Sequence, residues 1–371
     1  MNGDELIKQG VQKNLYGDYE GAIAVFNEAI QLNSNLAEAY YHRGYSFLEL
    51  AEFDQAIADY QKVVEFLDSS PDLPEGINFN IAKAFHNRGL AAFQRGDNQA
   101  AVTDINQALK FYPEFIAAYS NRGNILHILG KYTEAIADYN QAIRLNPDLA
   151  AAYHNRGNSR YALQDDEGAI ADYNQALAIN PNFGEAFYNR GLVMSHRQDY
   201  PKAIADFTQA IRHNPEDIQA YYERGLIYST LQDYESAIQD YNRVLQINPT
   251  LPTVYGLRAN ARRHQRDYHG AIADINKLLQ LNPSLVEGYC DRAVSRRFVG
   301  DYEGAIQDYN HALQINPNLA AAYYARGEIY QHLGDIQTAI DDFQKSAHLF
   351  SQQGNKLYYQ EIINLIAKIR K

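Results

Sequence analysis

The five residues Tyr-His-Asn-Arg-Gly at positions 153–157 place an arginine where a packing residue is expected. Tyr153, Arg156 and Gly157 stand at i, i+3 and i+4, so they lie on one face of a helix. Tyrosine and glycine suit a buried, close-packed face, whereas a buried arginine is costly unless another group pairs with it. The stretch therefore predicts a helix that packs through this face and a polar partner for its arginine.

The Arg-Gly pair belongs to a repeat of 34 residues. A small residue recurs at this spacing, apart from one step of 45 residues, at Gly10, Gly44, Gly89, Gly123, Gly157, Gly191, Gly225, Ala259, Ala293 and Gly327. Alanine follows the same rhythm from Ala22 to Ala339, and proline follows it from Pro113 to Pro317. A fixed period of this length is the signature of a repeat architecture, so we expect one array rather than several globular domains.

The array divides the chain into four segments: repeats 1 and 2 at 3–70, an insertion at 71–81, repeats 3 to 10 at 82–353, and a final segment at 354–371. We expect the insertion to lengthen the loop and the start of the next helix, where Phe79 and Ile81 would extend the apolar face. The final segment predicts a capping helix, because an exposed last repeat needs one. A membrane-surface helix is the alternative. The predicted apolar face of this final segment comprises Leu357, Tyr358, Ile362, Leu365, Ile366 and Ile369.

The pattern within each unit predicts two helices. In residues 150–183 the first helix should end near Gln164, where sister units have glycine, the usual residue after a helix. Asp165 follows and can cap the second helix, which would bury Tyr173. Pro181 should end that helix, since proline disfavours a helical conformation in the residue before it.

The fourth unit carries the complete pattern in Tyr119, Arg122-Gly123, Ala135, Tyr139, Ala142 and Pro147. This pattern resembles the tetratricopeptide repeat (TPR) over residues 3–353, with tyrosine or phenylalanine in place of the family's tryptophan and arginine in place of its leucine. The resemblance implies an all-α fold: a right-handed superhelix of ten helix-turn-helix repeats plus the capping helix, with the first helices lining a concave groove. Arrays with this Asn-Arg-Gly pattern are similar to bacterial TPR proteins.

Nine of the ten units carry the arginine, and nine carry an aspartate 16 residues after it. The first unit lacks both and has Gln9 and Val25 at these positions. Removing one member of a buried ion pair can cost roughly 3–5 kcal/mol. We therefore expect structural, non-catalytic pairs between the two helices of a repeat, among them Arg122–Asp138, Arg156–Asp172 and Arg190–Asp206.

Three sets of residues flank the packing face on the groove side. The first is a row of asparagines with one member per repeat, Asn87, Asn121, Asn155 and Asn189, joined by Asn124 and Asn158. An amide offers both a donor and an acceptor, so the row can bind the backbone of an extended peptide without reading its sequence. It resembles the asparagine ladder in the TPR superhelix of O-linked N-acetylglucosamine transferase. The alternative is that asparagine is simply common at this position in TPRs.

The second set is a basic cluster in repeats 8 and 9, where Arg263 and Arg297 fall at groove-facing positions beside Asn260. Residues 252–285 carry five positive and two negative charges, a net of +3, whereas residues 37–81 carry two and nine, a net of −7. This asymmetry predicts that an acidic peptide segment docks at the C-terminal end. A solvated charged face is the alternative.

The third set is an aromatic lining at one position of the repeat, made of Tyr41, Tyr188, Tyr222 and Tyr324 with His86 and His154. Tyrosine suits adaptable, partly hydrated protein contacts. Many of the 30 tyrosines belong to the core pattern, so only these six residues are assigned to the lining.

The composition limits the classes of function. The sequence has no apolar run near the roughly 18 residues that span a membrane, and its one cysteine excludes an internal disulfide. Residues 1–5 lack the basic and apolar regions of a secretory signal, so we expect none. These features favour a cytoplasmic protein. The net charge of −12 argues against nucleic acid as a partner, because phosphate contacts need positive charge.

The sequence has no glycine-rich phosphate-binding loop and no nucleophile beside a general base. It also has no pair of histidines at a metal-binding spacing that the repeat itself does not explain. We expect no enzyme activity and no cofactor. The expected function is a protein–protein interaction scaffold or adaptor that binds an extended peptide or a partner protein in the groove. The alternatives are a structural or self-assembling spacer, which would form homo-oligomers, and an RNA-binding helical repeat, which would need a basic groove over many units.

Overall fold

The computed structural model describes residues 2–33, 35–67 and 76–370. Within these ranges every regular element is an α-helix. The 21 helices are α1 (Gly3–Leu15), α2 (Tyr19–Leu32), α3 (Ala37–Glu49), α4 (Phe53–Leu67), α5 (Ile77–Gln94), α6 (Asn98–Phe111), α7 (Ile116–Ile128), α8 (Tyr132–Leu145), α9 (Ala150–Ala162), α10 (Asp166–Ile179), α11 (Gly184–His196), α12 (Tyr200–His213), α13 (Ile218–Thr230), α14 (Tyr234–Ile247), α15 (Pro252–His264), α16 (Tyr268–Leu281), α17 (Val286–Phe298), α18 (Tyr302–Ile315), α19 (Ala320–His332), α20 (Ile336–Gln352) and α21 (Lys356–Ile369).

These helices form ten helix-turn-helix repeats followed by one further helix, which confirms the predicted fold class. The chain divides into two compact units, residues 1–193 and 194–371, and α11 spans their boundary. In the first unit, from α1 to α10, each helix packs against the next helix along the chain for most of its contacts. The same order holds in the second unit from α12 to α21.

Local sequence sets the ends of the helices. Gly130 follows a first helix with a φ of 74°, a left-handed conformation that glycine adopts without strain, and Gln164 takes the same conformation in the next repeat with a φ of 63°. Asp165 then caps α10, because its side chain accepts a hydrogen bond from the Gly168 N–H at 3.0 Å. The polypeptide therefore turns sharply between the two helices of a repeat.

Close contact between the two helices explains why glycine recurs in the first one. A Cβ atom added to Gly157 would lie 2.8 Å from Cε1 of Tyr173, closer than carbon atoms can approach. Tyr173 is fully buried on α10, and Ala169 is buried one turn before it. The packing therefore requires the smallest residue opposite the largest one.

The described part of the insertion extends a helix. Residues 71–75 lie outside the described residues, whereas α5 begins at Ile77 and has 18 residues instead of the 13 of α3 or α7. Ile81 is fully buried, and the ring of Phe79 lies 5.2 Å from that of Tyr112 and 5.5 Å from that of Phe115. These apolar contacts join the added turn to the end of the same repeat, just before α7.

The final helix packs through fewer residues than the sequence predicted. Ile362 and Ile366 are buried against α20, but Leu357 is 68% exposed because it points away from this face. Leu365 and Ile369 are partly buried and pack against the same cluster, and the ring of Tyr358 stacks on that of Phe350 with the ring centres 5.1 Å apart. Five of the six predicted residues therefore pack against the last repeat, and the prediction is wrong for Leu357.

Candidate functional site

The recurrent arginine binds two repeats together. Arg156 on α9 donates from Nε and Nη2 to both carboxylate oxygens of Asp172 on α10, at 2.9 and 2.6 Å. Its guanidinium also lies 5.2 Å from the centre of the Tyr153 ring. The side chains of Arg156 and Asp172 are only 14% and 4% exposed, so this two-bond contact supplies the partner that a buried charge needs.

The remaining nitrogen of the guanidinium reaches the preceding repeat, a contact that the sequence reasoning missed. Nη1 of Arg156 donates to Oδ1 of Asn140 on α8 at 2.6 Å. The only signal in the sequence is an asparagine 16 residues before the arginine, with the period of the repeat. Equivalent bonds join Arg43 to Asn27, Arg122 to Asn106, Arg190 to Asn174, Arg258 to Asn242, Arg292 to Asn276 and Arg326 to Asn310.

The predicted ion pairs behave as parts of the scaffold. Arg122 contacts Asp138 at 2.5 Å, and the hydrogen bond that it donates to Asp138 raises the pKa of the guanidinium. Burial raises the pKa of the Asp138 carboxyl, and the hydrogen bond from Arg122 opposes this effect. Arg190 lies in the first unit and Asp206 in the second, so their pairing stays a prediction.

The asparagine ladder lies half-exposed on the first helices of the first unit, and its amides bond to one another. Oδ1 of Asn124 accepts from the hydroxyl of Tyr139 at 2.8 Å and from Nδ2 of Asn155 at 2.9 Å. One repeat further, Oδ1 of Asn158 accepts from the hydroxyl of Tyr173 at 2.7 Å and from Nδ2 of Asn189 at 3.0 Å. The two sets of bonds repeat the same geometry.

A histidine joins these two sets into one network. Nδ1 of His154 lies 3.1 Å from Oδ1 of Asn155, and Nε2 lies 2.8 Å from Nδ2 of Asn189. We call the seven connected residues the ladder network: Asn124, Tyr139, His154, Asn155, Asn158, Tyr173 and Asn189.

His86 repeats the arrangement two repeats earlier. Its Nδ1 lies 3.2 Å from Oδ1 of Asn87, and its Nε2 lies 2.9 Å from Nδ2 of Asn121. His86 and His154 are each only 6% exposed, so the prediction that they line the groove surface is wrong. They lie beneath the asparagines because aromatic rings, Phe115 and Phe183 respectively, cover them.

The ladder network fixes which atoms the asparagines can offer. The oxygens of Asn124 and Asn158 each accept two hydrogen bonds, which fills both lone pairs of a carbonyl. Their amide nitrogens have no hydrogen-bond partner among the residues that the structure describes. At these two positions the face therefore presents hydrogen-bond donors to any molecule that lies on it.

The basic cluster of the second unit is largely neutralised. Arg263 pairs with Asp291 at 2.6 Å, and Arg297 pairs with Glu328 at 2.7 Å, in each case across to the next repeat. Neighbouring Arg262 is a scaffold residue, since its Nη1 contacts Asp274 at 2.9 Å and the Gly270 carbonyl at 3.0 Å. The net charge of +3 counted from the sequence therefore overstates the free positive charge, because the count left out carboxylates from the following repeat.

The other predicted site residues are spread along the chain. Tyr188 is half-buried on α11, and Tyr222 packs against the buried Tyr241 in the core of the second unit. Asn260 is exposed and lines a cleft of about 440 Å³ with His264, whose ring stacks on that of Tyr234 at 4.5 Å. In the described ranges no group of three or more histidine, cysteine or acidic side chains could hold a metal ion, and no helix is long and apolar enough to cross a membrane.

Comparison with known proteins identifies the repeat. Residues 16–51, 123–164, 157–195, 196–232 and 299–345 match the family described as TPR repeat. Residues 37–66, 82–115 and 218–251 match families described as tetratricopeptide repeat. A comparison with curated proteins gives no match.

Two solved structures show the same fold. The C-terminal part of a TPR repeat-containing protein from Cytophaga hutchinsonii is 20% identical over 65% of this chain and 98% of that one, with a TM-score of 0.57. PilF of Pseudomonas aeruginosa is 21% identical over 57% of this chain and 96% of that one, with a TM-score of 0.50. The chain belongs to the tetratricopeptide repeat family, whose members are typically non-enzymatic scaffolds for protein–protein interaction.

Proposed function

We propose that this protein is a non-enzymatic adaptor, and that the first helices of its first unit bind an extended segment of a partner protein. The observation that carries the proposal is the ladder network, which orders four asparagines on a half-exposed face and leaves the amide nitrogens of Asn124 and Asn158 available. Asn124 and Asn158 stand 34 residues apart, at the same position of two consecutive repeats. Peptide carbonyl groups, which also recur regularly along an extended chain, are the natural acceptors for such donors.

The fixed orientation of the amides favours binding. An amide that is already held by two hydrogen bonds loses little conformational entropy when a ligand arrives, so more of the interaction energy contributes to affinity. The backbone of the segment would supply most of the hydrogen bonds, and half-exposed side chains nearby, such as Tyr188, would add apolar contact. We therefore expect moderate affinity and broad sequence tolerance at this face.

An acidic residue in the same partner is a further element of the proposal. Arg297 is 44% exposed and its partner Glu328 is 34% exposed, and surface ion pairs of this kind contribute only about 0–1 kcal/mol. A carboxylate of the partner can therefore replace Glu328 at little cost. Arg263 and Asp291 offer the same exchange one repeat earlier.

A peptide-display selection on the purified protein tests the function. The decisive variant is Asn124→Asp/Asn158→Asp, because a carboxylate keeps the oxygen that accepts from Tyr139 or Tyr173 but removes both N–H donors. The matched control is Gln175→Glu, which makes the same chemical change on an exposed residue of the second helix α10. A third variant, Arg263→Gln/Arg297→Gln, removes the positive charge from the second unit.

The proposal predicts that the unmodified protein and the Gln175→Glu control enrich the same extended peptides. The Asn124→Asp/Asn158→Asp variant should not enrich these peptides. Acidic residues should be common in these peptides, and they should be less common in the peptides that the Arg263→Gln/Arg297→Gln variant enriches. Peptides that bind all proteins equally would place binding elsewhere and refute the assignment to this face. Enrichment of no peptide would contradict the adaptor function and favour the spacer.

A further inference from the structure

We propose that His154 is a positioning residue for the ladder: its neutral imidazole holds Asn189 and Asn158 in the orientation that binds a peptide, and protonation of the imidazole releases them. His86 holds Asn121 in the same way. The inference rests on the proposed function, since it concerns the regulation of the same face by pH.

The hydrogen-bond partners of His154 define one tautomer. The Oδ1 atom of Asn155 can only accept, so Nδ1 of His154 must carry the proton. The Nδ2 atom of Asn189 can only donate, so Nε2 of His154 must be the unprotonated nitrogen. The imidazolium carries a proton on both nitrogens, and its Nε2–H would point at the N–H of Asn189.

Rotation of the Asn189 amide does not relieve this conflict. The Nδ2 atom of Asn189 also donates to Oδ1 of Asn158, so a rotated amide would place two oxygen acceptors against each other. Asn158 cannot rotate in turn without losing the hydroxyl of Tyr173 as its donor. Protonation at His154 therefore disturbs Asn158, one of the two residues that present donors to the peptide.

The surroundings of both histidines favour the neutral form. Burial lowers the pKa of His154; the hydrogen bond to Asn155 and the charge of Glu185 on α11 oppose this effect, and the ring also faces the phenol of Tyr173 on α10. Burial likewise lowers the pKa of His86, and only the hydrogen bond to Asn87 opposes it. Among the described residues no charged side chain shifts the pKa of His86.

The two histidines differ in how firmly they hold the ladder. Asn121 has one bond in the arrangement, to Nε2 of His86, so its amide can rotate and accept from a protonated imidazole. Asn189 has two bonds and cannot. We therefore expect the pH response of binding to follow His154 more closely than His86.

Side-chain NMR on the labelled full-length protein tests the network without any ligand. His154 should be in the Nδ1–H tautomer near neutral pH, and its pKa should lie below the ordinary histidine value of about 6.5 because the ring is buried. The side-chain amide signals of Asn189 should shift with the same pH midpoint as the ring signals of His154. The ring signals of His154 are assigned by their absence in the His154→Gln variant. An Nε2–H tautomer, or Asn189 signals that ignore the titration, would overturn the inference.

Binding is then measured from about pH 8 to about pH 5.5, with the most enriched peptide from the selection, synthesised without histidine, as the probe. The unmodified protein should lose roughly tenfold or more in affinity on acidification, the scale of one broken buried hydrogen bond. His86→Gln/His154→Gln should bind at about pH 8 and keep its affinity at low pH, because glutamine Oε1 can accept from the asparagine but does not titrate. His269→Gln is the control and should keep the original pH dependence.

The outcomes separate the two proposals. The regulatory role of the histidines would be refuted if the unmodified protein bound the peptide equally well at every pH, or if His86→Gln/His154→Gln showed the same pH dependence as the unmodified protein. The adaptor function would stand in either case. If no peptide is enriched, the proposed function fails and the regulation of binding fails with it, whereas the NMR titration still decides whether the neutral imidazole orients Asn189.

Discussion

Nη1 of Arg122 donates to Oδ1 of Asn106, the residue 16 positions before it, at 2.5 Å. The same guanidinium pairs with Asp138, the residue 16 positions after it. The arginine therefore joins the second helix of the preceding repeat to the second helix of its own. An apolar residue at this position, such as the leucine of the usual TPR pattern, could pack but could not make these directional contacts.

Asp172→Ala should be strongly destabilising. It would leave the guanidinium of Arg156, which is 14% exposed, without its carboxylate, and such a loss typically costs roughly 3–5 kcal/mol. Because repeat arrays can unfold locally, hydrogen exchange in α9 and α10 is the appropriate measurement. The control is Glu65→Gln, which removes an exposed ion pair with Lys62 and should change exchange little. Equal effects of the two variants would show that the buried pair is not needed.

Asn140→Ala should weaken the contact between repeats more than the repeats themselves. It removes the acceptor of Nη1 of Arg156 but leaves the pair with Asp172, so the expected cost is about 1.5–3 kcal/mol, the usual value for a hydrogen bond to a charged group. Urea unfolding and hydrogen exchange at the α8–α9 contact measure it. The matched control is Asn182→Ala, which alters an exposed side chain in a loop. Its urea unfolding midpoint should equal that of the unmodified protein within error.

Periodicity accounts for what the sequence could predict. Helix pairs, their ends and the Arg–Asp spacing all follow from residues that recur every 34 positions, and each recurrence is independent support for the same geometry. Asn140 was missed because asparagine on a polar helix surface is unremarkable on its own, and its partner lies in another repeat. The burial of His154 was missed because the ring that covers it, Phe183, lies 29 residues later in the sequence, at the very end of the same repeat.

Stability should fall as the pH is lowered from about 7.5 to about 5.5. Burial lowers the pKa of four histidines in the first unit, His42, His86, His127 and His154. Below the unfolded-state pKa of about 6.5 the unfolded chain therefore binds more protons than the folded one, so acid favours unfolding until the folded-state pKa values are passed. Thermal unfolding across this range measures the effect, and His86→Gln/His154→Gln should show a shallower decline. A melting temperature that is constant or rises on acidification would contradict the prediction.

The effect of Gly225→Ala on stability should depend on the residue opposite it, destabilising against tyrosine and stabilising against isoleucine. A Cβ at Gly225 would lie 2.8 Å from Cε1 of the buried Tyr241, and overpacking of this kind costs typically about 1–3 kcal/mol. In a Tyr241→Ile background the same substitution should stabilise the helix by up to about 1 kcal/mol, because alanine is the better helix former. Repeat 8 already has this combination, with Ala259 and Ile275 both buried at the equivalent positions. A double-mutant cycle measured by urea unfolding gives the coupling between the two positions. If Gly225→Ala has the same effect in both backgrounds, the tyrosine ring is not what requires glycine here.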